Sequence, residues 1–447
     1  MKNKLSLQKL QLPVYSALAG LVLFSSVPPA YSQGGPSILS RGGDRPGQRG
    51  GQPANFNFFA GLSGSAESGI FPTGVDPAGN LLTVDLFGIQ GEIGGYGTRQ
   101  FRRSSIGLDY RGDYRHYNRK TFYNGSDHAL ALEYTSQFSR RFSVTATTTA
   151  GTSSRAFGGL IGSTLPSSDL FGFPTNQIFD NRTYYLQSGV MSIYRKSARA
   201  SFIFGGDYFV VRRQSKALVG VNGRRATGGY DYQFGRKSSV GLNYSFIHFG
   251  FPRVFGTSDI HSLQVRYNRQ LARNIKFSAG VGAYRVESLG TVVVQLSPEV
   301  ASILGISNNI SAIHRVDVSP QFDVSLGYAR KRQTFHVGYL QGSTPGNGLY
   351  LTSQQKSANA GYAYSGIRKL SFGINAGYSR YESQFRDLQN YNSGQAGVGL
   401  SYALGHHLNF VSQGDVRSFV TQGGKRTGYS VSIGLRYSPA EVPLPIW

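Results

Sequence analysis

Apolar and polar positions alternate with a period of two over most of the chain. In "VSLGYARKRQTFHVGY", Val324, Leu326 and Tyr328 alternate with Ser325 and Gly327; after a basic cluster, Phe335, Val337 and Tyr339 alternate with His336 and Gly338. That period sends successive side chains to opposite faces, so the segment predicts a two-stranded hairpin. One face is aliphatic and aromatic, the other glycine, serine and histidine. The unit returns in "YTSQFSRRF", "YRKSARASF", "YQFGRKSSV", "YNRQLARNIKF", "YSGIRKLSF" and "YALGHHLNF". Such self-similarity marks one supersecondary unit used repeatedly.

Extended along the chain, the pattern predicts strands at 56–64, 85–97, 105–116, 128–137, 142–152, 183–194, 199–212, 225–234, 238–249, 260–269, 274–286, 319–328, 332–342, 354–364, 369–380, 393–403, 408–419 and 428–438. These eighteen strands are joined by eight short turns and nine longer loops. An even count puts both chain ends on the short-turn side. A count of about sixteen is the alternative.

Charge follows the same parity. In 105–116, Ile106, Leu108, Tyr110 and Tyr114 oppose Asp109, Arg111, Asp113 and Arg115. In the last strand Tyr429, Val431, Ile433, Leu435 and Tyr437 oppose Ser430, Ser432, Gly434 and Arg436. Glu133, Asp207, Asp231, Arg266, Lys276, Asp323, Asp415 and Arg417 also fall opposite their strands' aliphatics; Lys356 and Arg212, at strand ends, do not. A soluble sandwich alternates likewise. Two features favour a membrane. Tyr134, Tyr194, Tyr232, Tyr267, Tyr328, Tyr364, Tyr402 and Tyr437 cluster at strand ends as an interfacial girdle would. So many successive hairpins exceed an open twisted sheet, whereas a closed barrel leaves no edge. The expected fold is all-β, a closed antiparallel up-and-down transmembrane barrel with lipid outside and an aqueous interior.

Composition adds the compartment. Residues 1–32 have a basic start, the apolar "LPVYSALAGLVLF" and small Ala30 and Ser32 before Gln33, as in a secretory signal peptide. Residues 33–54, rich in glycine, proline and arginine, are expected to be a disordered leader, followed by the barrel over 55–438 and a tail at 439–447. The chain has no cysteine, which excludes disulfides, thiol nucleophiles and cysteine metal sites.

The formal charge of +24 divides into two sets. Arg111, Arg115, Arg213, Arg225, Arg266, Lys276, Arg417 and Arg436 are expected in the lumen. There they either favour anions or pair with Asp109, Asp113, Asp207 and Asp231 and stiffen the wall. Arg140, Arg141, Arg195, Lys196, Arg330, Lys331, Arg332, Arg368 and Lys369 fall in the short turns, where they meet phosphate headgroups or keep the turns wet. The loop 287–318 contains "LSPEVASILGI", in which Ser297 caps, Pro298 opens and Gly305 closes a short helix that includes Glu299. This segment either folds inward as a constriction or packs on the loop rim; loop 153–182 is a second candidate.

No nucleophile elbow, paired metal-ligand motif or phosphate loop stands out, so no catalytic residue, metal or cofactor is expected. A barrel hydrolase is the enzymatic alternative and requires a serine, one of the eight histidines and an acid on neighbouring strands. Nucleic acid would suit the charge, but neither the export signal nor the hairpin repeat supports it.

The signal peptide, hairpin repeat, aromatic girdle and final strand "YSVSIGLRY" resemble the bacterial outer-membrane β-barrel proteins, the porin-like superfamily, over 55–438. The resemblance implies outer-membrane lipid as surroundings and insertion by the barrel assembly machinery, which reads the last strand. That signal usually ends the chain, and here "SPAEVPLPIW" follows it. The chain is also similar to barrels found with exopolysaccharide gene clusters. The expected function is a passive or weakly selective channel for small polar, anionic or carbohydrate solutes. The alternative is a structural, docking or polymer-export barrel whose leader binds a periplasmic partner.

Overall fold

The computed structural model describes residues 55–75, 81–118, 124–153, 182–216, 218–295, 308–330, 332–344, 352–384, 390–421 and 424–438. Its strands are β1 (Asn55–Val75), β2 (Leu81–Gln100), β3 (Ser104–Tyr117), β4 (Gly125–Gln137), β5 (Phe142–Ser153) and β6 (Thr183–Arg195). They continue as β7 (Ala200–Arg213), β8 (Val221–Gly235), β9 (Ser238–Gly250), β10 (Gly256–Ala272), β11 (Ile275–Gln295) and β12 (Asn308–Arg330). The last six are β13 (Gln333–Thr344), β14 (Ser353–Ile367), β15 (Leu370–Ser383), β16 (Tyr391–Ala403), β17 (Leu408–Thr421) and β18 (Gly424–Tyr437).

Each strand pairs antiparallel with its sequence neighbours, and β1 pairs with both β2 and β18. At the seam Leu62 lies opposite Leu435 on one side and Gly91 on the other. The sheet therefore closes with eighteen strands, not sixteen, and leaves no unpaired edge.

The two faces sort as the alternation requires. Phe58, Leu62, Ile89, Ile93, Leu263, Val265, Val281, Ile374, Val398 and Ile433 are exposed on the outer face. Asp109, Arg111, Asp113, Arg115, Gln264, Asp323 and Arg417 are buried on the inner one. An aliphatic surface running around a closed barrel far exceeds the apolar patches of soluble monomers and has lipid as its natural solvent. The chain is a transmembrane β-barrel of the outer-membrane kind. Among the described residues no helix is long and apolar enough to cross a membrane. Tyr194, Tyr232, Tyr402 and Tyr437 are exposed on the outer face at the short-turn end, and Tyr134, Tyr267, Tyr328 and Tyr364 are half-buried at the same level.

One expectation is corrected. The span 287–318 is not all loop, because β11 and β12 stay in register from Ile275↔Tyr328 to Gln295↔Asn308. This ribbon rises well beyond the neighbouring strands. There the outer face leaves lipid for water, and Arg285, Glu287, His314, Arg315 and Asp317 interrupt the aliphatic alternation that marks a strand in lipid. Ser297, Pro298 and Glu299, like loop 154–181, the segment 1–54 and the tail 439–447, lie outside the described residues.

Candidate lumen site

The inner wall carries charge in pairs. Arg111 Nε lies 3.2 Å from Asp109 Oδ1, two residues away on the same face of β3. Arg115 bridges Asp113 at 2.5 Å and Asp127 on β4 at 3.0 Å. Around this knot Gln90 donates to Asp113 at 3.2 Å, and the Tyr117 hydroxyl donates to Glu67 at 3.1 Å. Farther round, Arg225 on β8 meets Asp207 on β7 at 2.5 Å, and Arg266 on β10 lies 3.6 Å from Asp323 on β12. Asp323 also accepts from Gln264. Asp231 is inward on β8, separated from Arg266 by Gly241 of β9. Such partners are close because inward residues stand two apart on one strand, side by side on adjacent strands, or across an inward glycine of the strand between, as Arg266 and Asp323 do at Gly280.

At the closing seam, Arg436 of β18 reaches past Gly61 to Glu92 of β2, with its Nη2 2.7 Å from Oε2. Phe59 points inward beside it and is 3 % exposed. The guanidiniums of Arg111 and Arg436 lie 5.4 and 5.7 Å from its ring centroid, a range that favours cation–π attraction. Gly94 makes room for this ring, since a Cβ there would come within 2.3 Å of Phe59 Cζ.

The remaining expected cations also face inward. Arg213, at the loop end of β7, donates to the Val219 carbonyl. Arg417 on β17 is buried between Gln395 and Gly428 of the adjacent strands. Lys276 sits at the turn end of β11 and is exposed to the interior. At least five of the eight lumen cations therefore lie within ion-pair distance of a carboxylate.

The loop-side half of the interior holds features the sequence reading missed. An apolar stripe formed by Tyr185, Phe209, Val211, Val221, Ile247, Phe249, Ile260, Tyr284 and Val286 lines the inner face from β6 to β11. Its signal was a local loss of alternation: "YFVV" in β7 and "FIHF" in β9 are bulky on both faces. Phe249 is 0 % and Ile260 1 % exposed, so this wall is covered and not bathed. Hydrogen bonds also run between strands that are not neighbours. The Tyr284 hydroxyl accepts from Gln354 at 3.0 Å and Gln384 at 3.4 Å, tying β11 to the loop ends of β14 and β15. Ser258 of β10 pairs with Thr352, just before β14, at 2.6 Å. At the turn-side half, by contrast, inward Thr147 and Lys276 are exposed.

Histidine–acid pairs among the described residues include His248 with Asp259 (2.6 Å) and His314 with Glu287 (2.9 Å), both on the outward-facing parity of their strands. Among the described residues no group of three or more His, Asp or Glu side chains is placed to hold a metal ion.

No protein-family model and no curated protein matches the chain. Solved structures do. OccK2 (OpdF) of Pseudomonas aeruginosa aligns over 86 % of this chain and 98 % of its own at 11 % identity, with a TM-score of 0.41. A BenF-like porin from Pseudomonas fluorescens Pf-5 aligns over 86 % and 98 % at 8 % identity, TM-score 0.42. OpdQ of Pseudomonas aeruginosa gives the same coverage at 9 % identity, TM-score 0.42.

Proposed function

We propose that the barrel is a weakly selective diffusion channel for small, polar, hydroxyl-rich solutes of the carbohydrate kind. The supporting observation is the pairing of the lumen charges. Rings of unpaired arginine would impose a positive potential and favour anions. Here the guanidiniums of Arg111, Arg115, Arg225 and Arg436 sit against Asp109, Asp113, Asp207 and Glu92. Paired charges leave little net field, and Gln90, Thr147, Arg266 and Lys276, at least partly open to the interior, offer donors and acceptors. A solute carrying several hydroxyls can exchange water for such a wall without meeting a strong charge barrier. The bonds from Tyr284 and Ser258 narrow the loop-side mouth and restrict passage to small solutes.

The same narrowing supports a second reading, a closed barrel that serves a structural or polymer-export assembly. Swelling of vesicles containing the purified barrel separates the two. A channel admits neutral monosaccharides and their carboxylated counterparts at comparable rates, and excludes larger oligosaccharides. Absence of swelling by any solute, from protein shown to be folded and inserted, would favour the closed reading.

A further inference from the structure

The channel reading leaves most of the positive charge unused, because the lumen is nearly balanced. The excess lies at one end. Seven of the eight short turns contain an arginine or lysine, and none contains an aspartate or glutamate. The eighth, between β16 and β17, holds His406 and His407. Acids return in the longer connections, as at Asp76, Asp169, Asp180, Glu299 and Asp387. Among the described turns, Arg102, Arg103, Arg140, Arg141, Arg236 and Lys237 are exposed.

These cations alternate with exposed apolar groups. Phe101, Phe138, Phe234, Leu271, Ile367 and Leu404 stand at the same turns. Phe138 stacks on Phe142 with centroids 5.6 Å apart, and Phe234 on Tyr267 at 6.3 Å, which joins the turns to the tyrosine girdle. Arg99 covers Phe101 at 5.1 Å. A turn designed only to stay wet has no use for exposed phenylalanine. A turn resting in a leaflet needs an apolar anchor below the headgroups and a cation at the phosphate, which is the order found here. The arrangement also repeats around the circumference, whereas a single docked protein would mark one arc.

We propose that this ring binds the phosphate groups of anionic phospholipids in the leaflet facing the short turns, and so selects the lipid shell around the barrel. Each cation near a charged leaflet adds to the attraction, and the effect is screened by salt.

The test is electron paramagnetic resonance of the purified full-length protein in phosphatidylcholine vesicles, with spin-labelled phosphatidylglycerol or phosphatidylcholine as probe. Lipids held by the barrel show a motionally restricted spectrum. The expected result is about twofold or greater preference for phosphatidylglycerol at low ionic strength, falling as salt is added. The combined variant Arg102→Gln, Arg103→Gln, Arg140→Gln, Arg141→Gln, Arg236→Gln and Lys237→Gln should lose most of it. Lysine at the five arginine positions should retain it, and Arg224→Gln, on the outer face near the loop end, should leave it unchanged. Folding of each variant is checked by mobility of the unheated protein on gels. Equal restriction of both probes by the wild-type barrel would overturn the proposal, as would full selectivity in the glutamine variant. Salt-sensitive binding of alginate without any lipid preference would assign the ring to an acidic polymer instead. The assay reads headgroup preference and not transport, so a closed lumen would not alter its outcome.

Discussion

The seam cluster shows what a single residue can do in this wall. Glu92 and Arg436 stand on strands separated only by β1, and Gly61 leaves the path between them open. Their side chains are 14 % and 17 % exposed, so removing either leaves a largely desolvated charge. Glu92→Ala should therefore lower stability by about 1–3 kcal/mol. The double variant Glu92→Ala with Arg436→Ala should recover part of the loss, measured by urea unfolding from vesicles. Gly94→Val attacks the same cluster from below, forcing Phe59 out of its place at a cost of about 1–3 kcal/mol. The inward direction of Arg436 was legible from the parity of "YSVSIGLRY". Its partner was not, because Glu92 is 344 residues away and only closure brings the two together.

At the scale of the strand, lipid is what made the sequence readable. Turn-side ends of the expected strands fall close to those observed because tyrosine girdle and basic turn follow one another there without a break. Several loop-side ends were set too short, most of all in β1, β11 and β12; in the last two the ribbon leaves the bilayer and no apolar solvent enforces alternation. The apolar inner stripe went unread for a related reason: doubled apolar faces in β7 and β9 still satisfy the outward pattern. The two faces should respond differently to the same substitution. Val265 is exposed outward near the middle of β10, and Val265→Arg should destabilise the barrel by about 2–4 kcal/mol. Thr147 of β5 is exposed to the interior, where Thr147→Arg should change stability by less than about 0.5 kcal/mol. Urea titration of both variants in the same lipid provides the comparison, and equal losses would contradict the assignment of faces.

For the whole molecule, closure turns a large formal charge into two separate fields. The turns hold cations without acids, while the interior sets its arginines against carboxylates, so the formal +24 is not a charge carried by the lumen wall. Sequence parity placed both signs inside but left open whether they oppose or merely coexist; the cross-strand register resolves that by setting partners side by side. In the proposed channel, a single substitution should therefore be enough to give the nearly neutral lumen a sign. Arg115 is shared by Asp113 and Asp127, and Glu67 lies nearby through Tyr117. Arg115→Gln removes the cation and leaves these carboxylates uncompensated just behind the inner wall, where their field reaches the lumen. Reversal potentials in planar bilayers under a KCl gradient should then move from near zero in the wild type toward potassium preference, with Arg111→Gln acting in the same direction beside Asp109. A shift toward chloride would mean that the acids, not the arginines, set the field. No shift in a variant that conducts would place the conducting path away from β3.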